Sequence, residues 1–396
     1  MTATKLSSKF VNVPSEYRNA AYLKFEILSN GIQLTSTAQK MIFDISSPLR
    51  VKRPLRARSG ASGGLDVVMH DIIFVNAPIT QNNNSRQCVV LDWINGDFIL
   101  TGSTNQPEKI SILPEPKFYS MKSSFANIPM HKIAQMGSPD RICYGMTGSK
   151  CVFWNVQDKC RFCSIGLNSS SSDMYKNEDQ LYEVISHAMN EDKWPAKHIL
   201  IGGGTPEGPD MGAMLAAHLC SEIKSRFNIS VYVMIAAPLH NKYIDALYNA
   251  GVDELGINLE FWSEKAWNQF IPGKKTNIGK ERYLQALEYA ENLFGPIRTR
   301  SILVAGLESA NETLTAVKAL SSIGVMPILS PFRPLMGTTL FDKTGFDTEQ
   351  YINLYEESMQ LCQSQGLPLG PTCICCQGNT LALPFNEPYK WYGTNN

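Results

Sequence analysis

The sequence predicts an α/β protein: a partial (β/α)6 barrel, preceded by a small β-rich domain and followed by a cysteine-bearing segment. Three observations carry that expectation. From about Ile142, short β-branched runs alternate with stretches of helical length, the rhythm of parallel strands joined by right-handed crossovers. The residues before about Tyr119 lack that rhythm and read as strands and loops. Two cysteine groups stand apart, Cys151/Cys160/Cys163 after the first barrel strand and Cys373/Cys375/Cys376 after the last helix. The expected divisions are residues 1–125, 126–345 and 346–396, a plausible partition for 396 residues.

In the N-terminal part, Tyr22 to Leu28 alternates and is expected as a strand, and Leu65 to Val75 is rich in β-branched residues. Cys88 to Ile94, then Asn95-Gly96, then Asp97 to Leu100 is a hairpin signal. Loop tracts run from Ser59 to Gly64 and from Gln81 to Ser85, and no strand-helix-strand unit is expected here. The barrel strands are expected at Ile142–Met146, His198–Ile201, Val231–Ala236, Glu254–Glu260, Ile297–Val304 and Val325–Leu329. Helices are expected near Asp210–Phe227, Asn241–Ala250, Gly279–Leu293, Asn311–Ile323 and Thr348–Gln365. Six units suit an open barrel better than the closed eight-fold one.

Bulk properties exclude some classes. The chain carries 36 basic and 36 acidic side chains and 43% apolar residues, so it builds a core and has no general attraction for nucleic acid or anionic membrane. No run of about 18 apolar residues appears, and Met1 to Ser8 lacks the apolar core of a signal peptide. A soluble, cytoplasmic protein is expected. In that compartment ten cysteines argue for metal or catalysis rather than disulfides.

Cys151, Cys160 and Cys163 sit in the loop after the first barrel strand, where catalytic groups of α/β barrels collect. Three thiolates can hold a cubane iron-sulfur cluster and leave one iron open to a small molecule. A zinc site is the alternative, and it more commonly takes a fourth Cys or His close by. The glycine run Ile201-Gly-Gly-Gly-Thr-Pro206 follows the second strand, without the Lys-Ser/Thr of a phosphate loop. Asn258 and Glu260 end the fourth strand and Glu308 follows the fifth; each either meets a cofactor or caps and pairs within the barrel mouth. Arg298 and Arg300 are two apart on the fifth strand, so they either face an anionic group together or pair with a carboxylate. Arg333 is a weaker candidate of the same kind.

These segments resemble the radical S-adenosylmethionine (radical SAM) superfamily, nearest to its biotin-synthase-like branch, over roughly Ile142 to Leu340. Cys160-Arg-Phe162-Cys163 is similar to the end of that family's cluster loop, with the aromatic before the last cysteine. The first spacing differs, giving C-x8-C-x2-C in place of C-x3-C-x2-C. Gly203, Gly204 and Thr205 stand at the family's Gly-Gly-Glu region, with Thr205 in the place of Glu. Asn258 and Glu260 resemble a pair that holds ribose and methionine, Glu308 lies in a segment that packs on adenine, and Pro331 to Leu340 resembles a further family segment.

The resemblance implies a 4Fe-4S cluster on Cys151, Cys160 and Cys163, with S-adenosylmethionine chelating its open iron. It further implies one-electron reduction, formation of a 5′-deoxyadenosyl radical, and hydrogen abstraction from a small-molecule or carrier-bound substrate. A flavodoxin- or ferredoxin-type electron donor is the implied partner. Cys373, Cys375 and Cys376 are candidates for a second iron-sulfur cluster, for sulfur insertion or for contact with substrate, Cys375 and Cys376 being the catalytic candidates, with Cys143 or Cys362 as a fourth thiol. Radical modification of a peptide or RNA is one alternative, and a non-catalytic iron-sulfur or zinc protein is another. Arg50, Lys52, Arg53, Arg56 and Arg58 form a basic run without interleaved aromatics, so nucleic acid is the lesser reading.

Overall fold

A computed structural model describes residues 9–44, 64–80, 88–148, 150–168 and 177–385. The basic run at 50–58 lies outside the described residues, as do the tracts 59–63 and 81–85.

The chain opens with a departure from the sequence expectation. Tyr22 to Leu28 belongs to helix α1 (Arg18–Asn30), in which ten of thirteen residues are buried. A helix covered on all sides shows no solvent stripe, so its 3.6-residue period vanishes, and Lys24 and Glu26 mimic a two-residue one. After it come β1 (Ile32–Leu34), α2 (Ser36–Phe43), β2 (Leu65–Met69), β3 (Ile73–Ala77), β4 (Val89–Ile94), β5 (Asp97–Thr101) and β6 (Glu108–Ile112). They form a six-stranded sheet in the order β1-β4-β5-β6-β2-β3. The β4–β5 hairpin turns on Asn95 and Gly96, at φ of 51° and 92°, as a two-residue Asn-Gly turn requires. β1 pairs parallel with β4, a connection across helix α2 that the alternation pattern did not signal.

The second half begins with α3 (Met130–Ile133), β7 (Gln135–Ser138), β8 (Arg141–Gly145) and α4 (Glu178–Met189). Then follow β9 (His198–Gly202), α5 (Ala213–Arg226), β10 (Ser230–Ile235), α6 (Lys242–Asn249), β11 (Glu254–Ile257), α7 (Glu264–Phe270) and α8 (Pro272–Asn277). The series ends with α9 (Lys280–Phe294), β12 (Thr299–Ala305), α10 (Ala310–Ser322), β13 (Met326–Pro331) and α11 (Thr348–Ser364). β8 to β13 lie side by side in chain order, each parallel to the next, with β7 antiparallel at the edge. The sheet curls, so that Cys143, Leu200, Tyr232, Arg300 and Ile328 from five of these strands line one cavity.

A 3₁₀ turn (Ile374–Asn379) completes the wall between the first and last strands. Gly370 donates to Pro327 O and Leu381 to Leu329 O on β13, while the turn itself packs on β3 and β7. Lys24 of α1 pins this segment, its ammonium donating to Gln377 O at 2.9 Å and Ala382 O at 2.6 Å. Burial pulls Lys24 down to about 7 from the ordinary 10.5. The unfolded chain therefore binds the extra proton between those values, and the Lys24 contribution to stability rises with pH from about 7 upward. Urea midpoints at pH 7 and 8.5 should show wild type gaining on Lys24→Met, by at most a few kcal/mol. Parallel shifts in both proteins would remove Lys24 as the source.

Candidate active site

The glycine run and the cysteine loop are built against each other. Met146, just after β8, donates to Gly202 O at 2.9 Å, and Val152 donates to Thr205 O at 2.7 Å. Gly203 adopts φ +129°, a conformation that side chains rarely take. A Cβ on Gly204 would lie 2.0 Å from Lys150 O, so only glycine lets the loop approach this closely. The Thr205 N–H points at Cys151 Sγ at 3.4 Å, and the Ile165 N–H points at Cys163 Sγ at 3.4 Å. Thr147 Oγ1 donates to Gly204 O at 3.2 Å, a further tie between the cysteine loop and the glycine run.

On the far side of the loop, Arg161 donates to Phe270 O and Gly273 to Asp158 O, which ties it to α7 and α8. Phe162 meets Phe261 edge-on at 5.8 Å. Loss of water pushes the Cys160 thiol up to about 12, against the pull of the Lys274 ammonium and with Cys163 and Cys151 nearby. Burial likewise takes Cys163 to about 11. Thiols this reluctant to ionise become thiolates only when a metal takes the place of the proton.

Glu260 and Lys274 form a buried ion pair at 3.0 Å beside these thiols. Glu260 sits at φ +66°, uncommon for a side-chain-bearing residue, with its backbone bridging to β12 through Ile302 O and the Val304 N–H. Burial alone would lower Lys274, but Glu260 above all holds it well above the usual lysine range. Asn258 accepts from the Ile302 N–H at 3.3 Å, which orients its amide. Cys151, Cys160, Cys163, Phe162, Asn258 and Glu260 all line the cavity, whose volume is about 340 Å³, together with Gly203, Gly204 and Thr205. That is the size of a small-ligand site.

Other expected residues lie elsewhere. Glu308 is outside the cavity lining; it accepts from the Trp262 N–H at 3.0 Å and the Ser263 N–H at 3.1 Å, holding the turn that follows Glu260. Burial pushes its carboxyl above the ordinary range. Arg298 precedes β12 rather than lying on it, so it does not share a face with Arg300. Its guanidinium donates to Asp253 O at 2.6 Å and Val252 O at 3.3 Å. Arg300 does line the cavity; it pairs with Glu254 and stacks on Tyr232, 3.9 Å from the ring centroid. Arg333 also lines the cavity, bonded to Asn76 through both terminal nitrogens at 2.7 Å.

The terminal cysteines divide. Cys375 and Cys376 line the cavity, Cys376 also lying 3.4 Å from His198 Nε2, whereas Cys373 lies 3.5 Å from Asp140. Cys362 is buried in α11 and is not among the cavity-lining residues, and Cys143 lines the cavity wall. Sequence reasoning passed over Lys274, Asp140, His198 and Arg141. The one available signal was His198, a polar residue heading an otherwise apolar buried strand.

Residues 157–320 match the radical SAM superfamily model, a span that takes in Cys160 and Cys163 and begins after Cys151. That stretch is thus similar to radical SAM domains, a family that binds a 4Fe-4S cluster and S-adenosylmethionine and draws on an electron donor. The chain is 23% identical over 205 residues to a bacteriochlorophyllide c C-7(1)-hydroxylase of Chlorobaculum limnaeum, which covers 47% of this chain and 51% of that protein. It therefore spans about half the length of that curated relative. A crystal structure of methylornithine synthase overlaps with a TM-score of 0.42 at 10% identity, covering 61% of this chain and 74% of that one. Among the described residues no helix is long and apolar enough to cross a membrane.

Proposed function

We propose that this chain is a radical SAM enzyme that activates a C–H bond of a small-molecule or carrier-bound substrate inside the half-barrel. The observation that carries the reading is the convergence of Cys151, Cys160 and Cys163 with the glycine run, Asn258 and Glu260 on one cavity. The donors suit an iron-sulfur cluster: three thiols, no fourth ligand in the loop, and a lining space beside them. When bound, the cluster and S-adenosylmethionine supply a reductively generated radical able to take hydrogen from an unactivated carbon.

The residues of the chain do the rest. Asn258 and Glu260 present hydrogen-bonding groups at the strand ends, where the amino and hydroxyl groups of the cofactor would seat. Lys274 fixes the Glu260 carboxylate in that position. The apolar walls, including Ile302 and Val304, exclude water that would quench a radical. Deeper in the cavity, Arg141 and Arg300 lie with a single carboxylate partner for Arg300, and Arg141 Nε has no hydrogen-bond partner among the described residues. A hydroxylase among the relatives fits C–H functionalisation. Sulfur insertion has less support, because Cys373 and Cys376 contact Asp140 and His198, and only Cys375 of the two cavity-lining thiols, Cys375 and Cys376, lies outside that group. Cys375 remains the thiol placed to meet substrate.

The test is anaerobic reconstitution with iron and sulfide, reduction, and assay for 5′-deoxyadenosine, with electron paramagnetic resonance before and after adding S-adenosylmethionine. Cleavage and a cofactor-dependent change of signal are expected; a reduced cluster indifferent to the cofactor would sink the proposal. Lys274→Met should raise the S-adenosylmethionine dissociation constant about tenfold or more while leaving the iron count unchanged, since a buried carboxylate loses its partner. Unchanged affinity would detach Glu260 from the cofactor.

A further inference from the structure

We propose a second metal centre, separate from the cysteine loop: a mononuclear zinc ion held by Asp140, His198, Cys373 and Cys376 at the floor of the half-barrel. Among the described residues, one group of Asp, Glu, His and Cys side chains has all its ligand atoms within 4.8 Å of one another, and it is this one. All four residues are buried. They come from three places far apart in the chain: the β7–β8 turn, the head of β9, and the 3₁₀ turn with its preceding cysteine.

The spacing of the donors is that of a single tetrahedral ion. At ordinary zinc bond lengths a tetrahedron separates nitrogen from oxygen by about 3.3 Å, and sulfur from either by about 3.5 Å. His198 Nε2 lies 3.4 Å from Asp140 Oδ1. Cys373 Sγ lies 3.7 Å from the same Oδ1, 3.5 Å from Oδ2 and 3.7 Å from His198 Nε2. Cys376 Sγ lies 3.4 Å from His198 Nε2. The two cysteines stand in C-x2-C spacing, closed by the Cys376 N–H donating to Cys373 O at 3.0 Å, the local turn that structural zinc sites use.

The surroundings support the set. Ser138 Oγ donates to Asp140 Oδ1 at 3.0 Å and touches Cys376 Sγ at 3.2 Å, which orients one ligand and braces another. The backbone N–H groups of Lys197 and His198 donate to Asp140 O, locking the β7–β8 turn to β9. Two thiolates, a carboxylate and a neutral imidazole leave a zinc site one negative charge in excess, and the Arg141 guanidinium stands beside these sulfurs to offset it. Four protein ligands in a closed, buried set leave no open position, so the ion is structural. It binds the terminal turn to the barrel floor, with Cys375 between its two ligands turned to the cavity.

The test is metal analysis and zinc K-edge absorption on the full chain purified anaerobically without added metal, alongside a Cys151→Ser/Cys160→Ser/Cys163→Ser variant. About one zinc per chain is expected in both proteins, with a shell of two sulfurs and two nitrogen or oxygen atoms. His198→Ala/Cys376→Ser should lose the zinc and expose Cys375 to alkylation in the native state. Substoichiometric zinc in wild type overturns the proposal without need of any variant. Iron and sulfide in the triple variant also overturn it, since the floor would then hold a cluster. Zinc retained by His198→Ala/Cys376→Ser overturns the assignment of these ligands. Failure of cofactor cleavage leaves each of these readings intact, because none depends on it.

Discussion

Replacing Cys160 by alanine is expected to abolish S-adenosylmethionine cleavage, reducing 5′-deoxyadenosine to the level of the protein-free control. Cys160 faces the cavity beside Cys151, Cys163, Lys274 and Glu260, and its thiol gains a stable anion only from a metal. A cubane with two protein ligands is lost or degraded, so iron should fall from about four per chain toward zero. Cys151→Ala and Cys163→Ala should behave alike. Cys151 is the informative one, because it lies before the stretch that matches the superfamily model and eight residues separate it from Cys160. Retained cleavage in Cys151→Ala would remove it from the ligand set and leave the third ligand to be sought elsewhere in the lining, with Cys143 first.

Arg300→Met is expected to destabilise the fold by about 3–5 kcal/mol, the cost of leaving one member of a buried ion pair uncompensated. Arg300 is 4% exposed and Glu254 3%, so neither charge has water to fall back on. The guanidinium also stacks on Tyr232, which desolvates it further and couples β10, β11 and β12. Against a typical total of about 5–15 kcal/mol such a loss is about a fifth or more of the stability. Glu254→Gln should cost a similar amount. The double variant Arg300→Met/Glu254→Leu should recover much of it, since a pair of apolar residues removes both desolvated charges. Denaturant unfolding of the three variants as a cycle measures the coupling. Additive losses would show that the two side chains act independently and that the pair is not what holds these strands.

Much of the barrel was legible in the sequence. Parallel strands buried on both faces read as short apolar runs, and β9, β10, β12 and β13 fall where those runs lie. The intervening helices carry one polar face and follow the expected ranges within a few residues, as α9 and α11 show. Helix α1 was illegible for the opposite reason: with no exposed face, it presents no period for the pattern to reveal. At the mouth, Asn258 and Glu260 could be named because strand ends in this architecture carry function. Lys274 could not, since nothing in Pro272-Gly-Lys-Lys distinguishes one lysine from the next, and only the return of α8 to the cysteine loop selects it. The floor was legible only by half. Cys373 and Cys376 announced themselves by spacing, but Asp140 lies 233 positions from Cys373 and 58 from His198, and only strand adjacency joins them.

The segment that closes the floor has a consequence for how the molecule is made. Lys24 emerges from the ribosome with the first helix, while the carbonyls that receive its ammonium, on Gln377 and Ala382, follow more than three hundred residues later. At the pace of synthesis that interval is on the order of tens of seconds. Throughout it the N-terminal sheet and the strands β8 to β13 can assemble, but the gap between β13 and β7 stays open and the lysine stays hydrated. The cavity is therefore open from below on the nascent chain until Gln377 and Ala382 have been made. Before Gln377 and Ala382 are made, iron, sulfide or a delivery protein has a route into the interior that the finished wall covers.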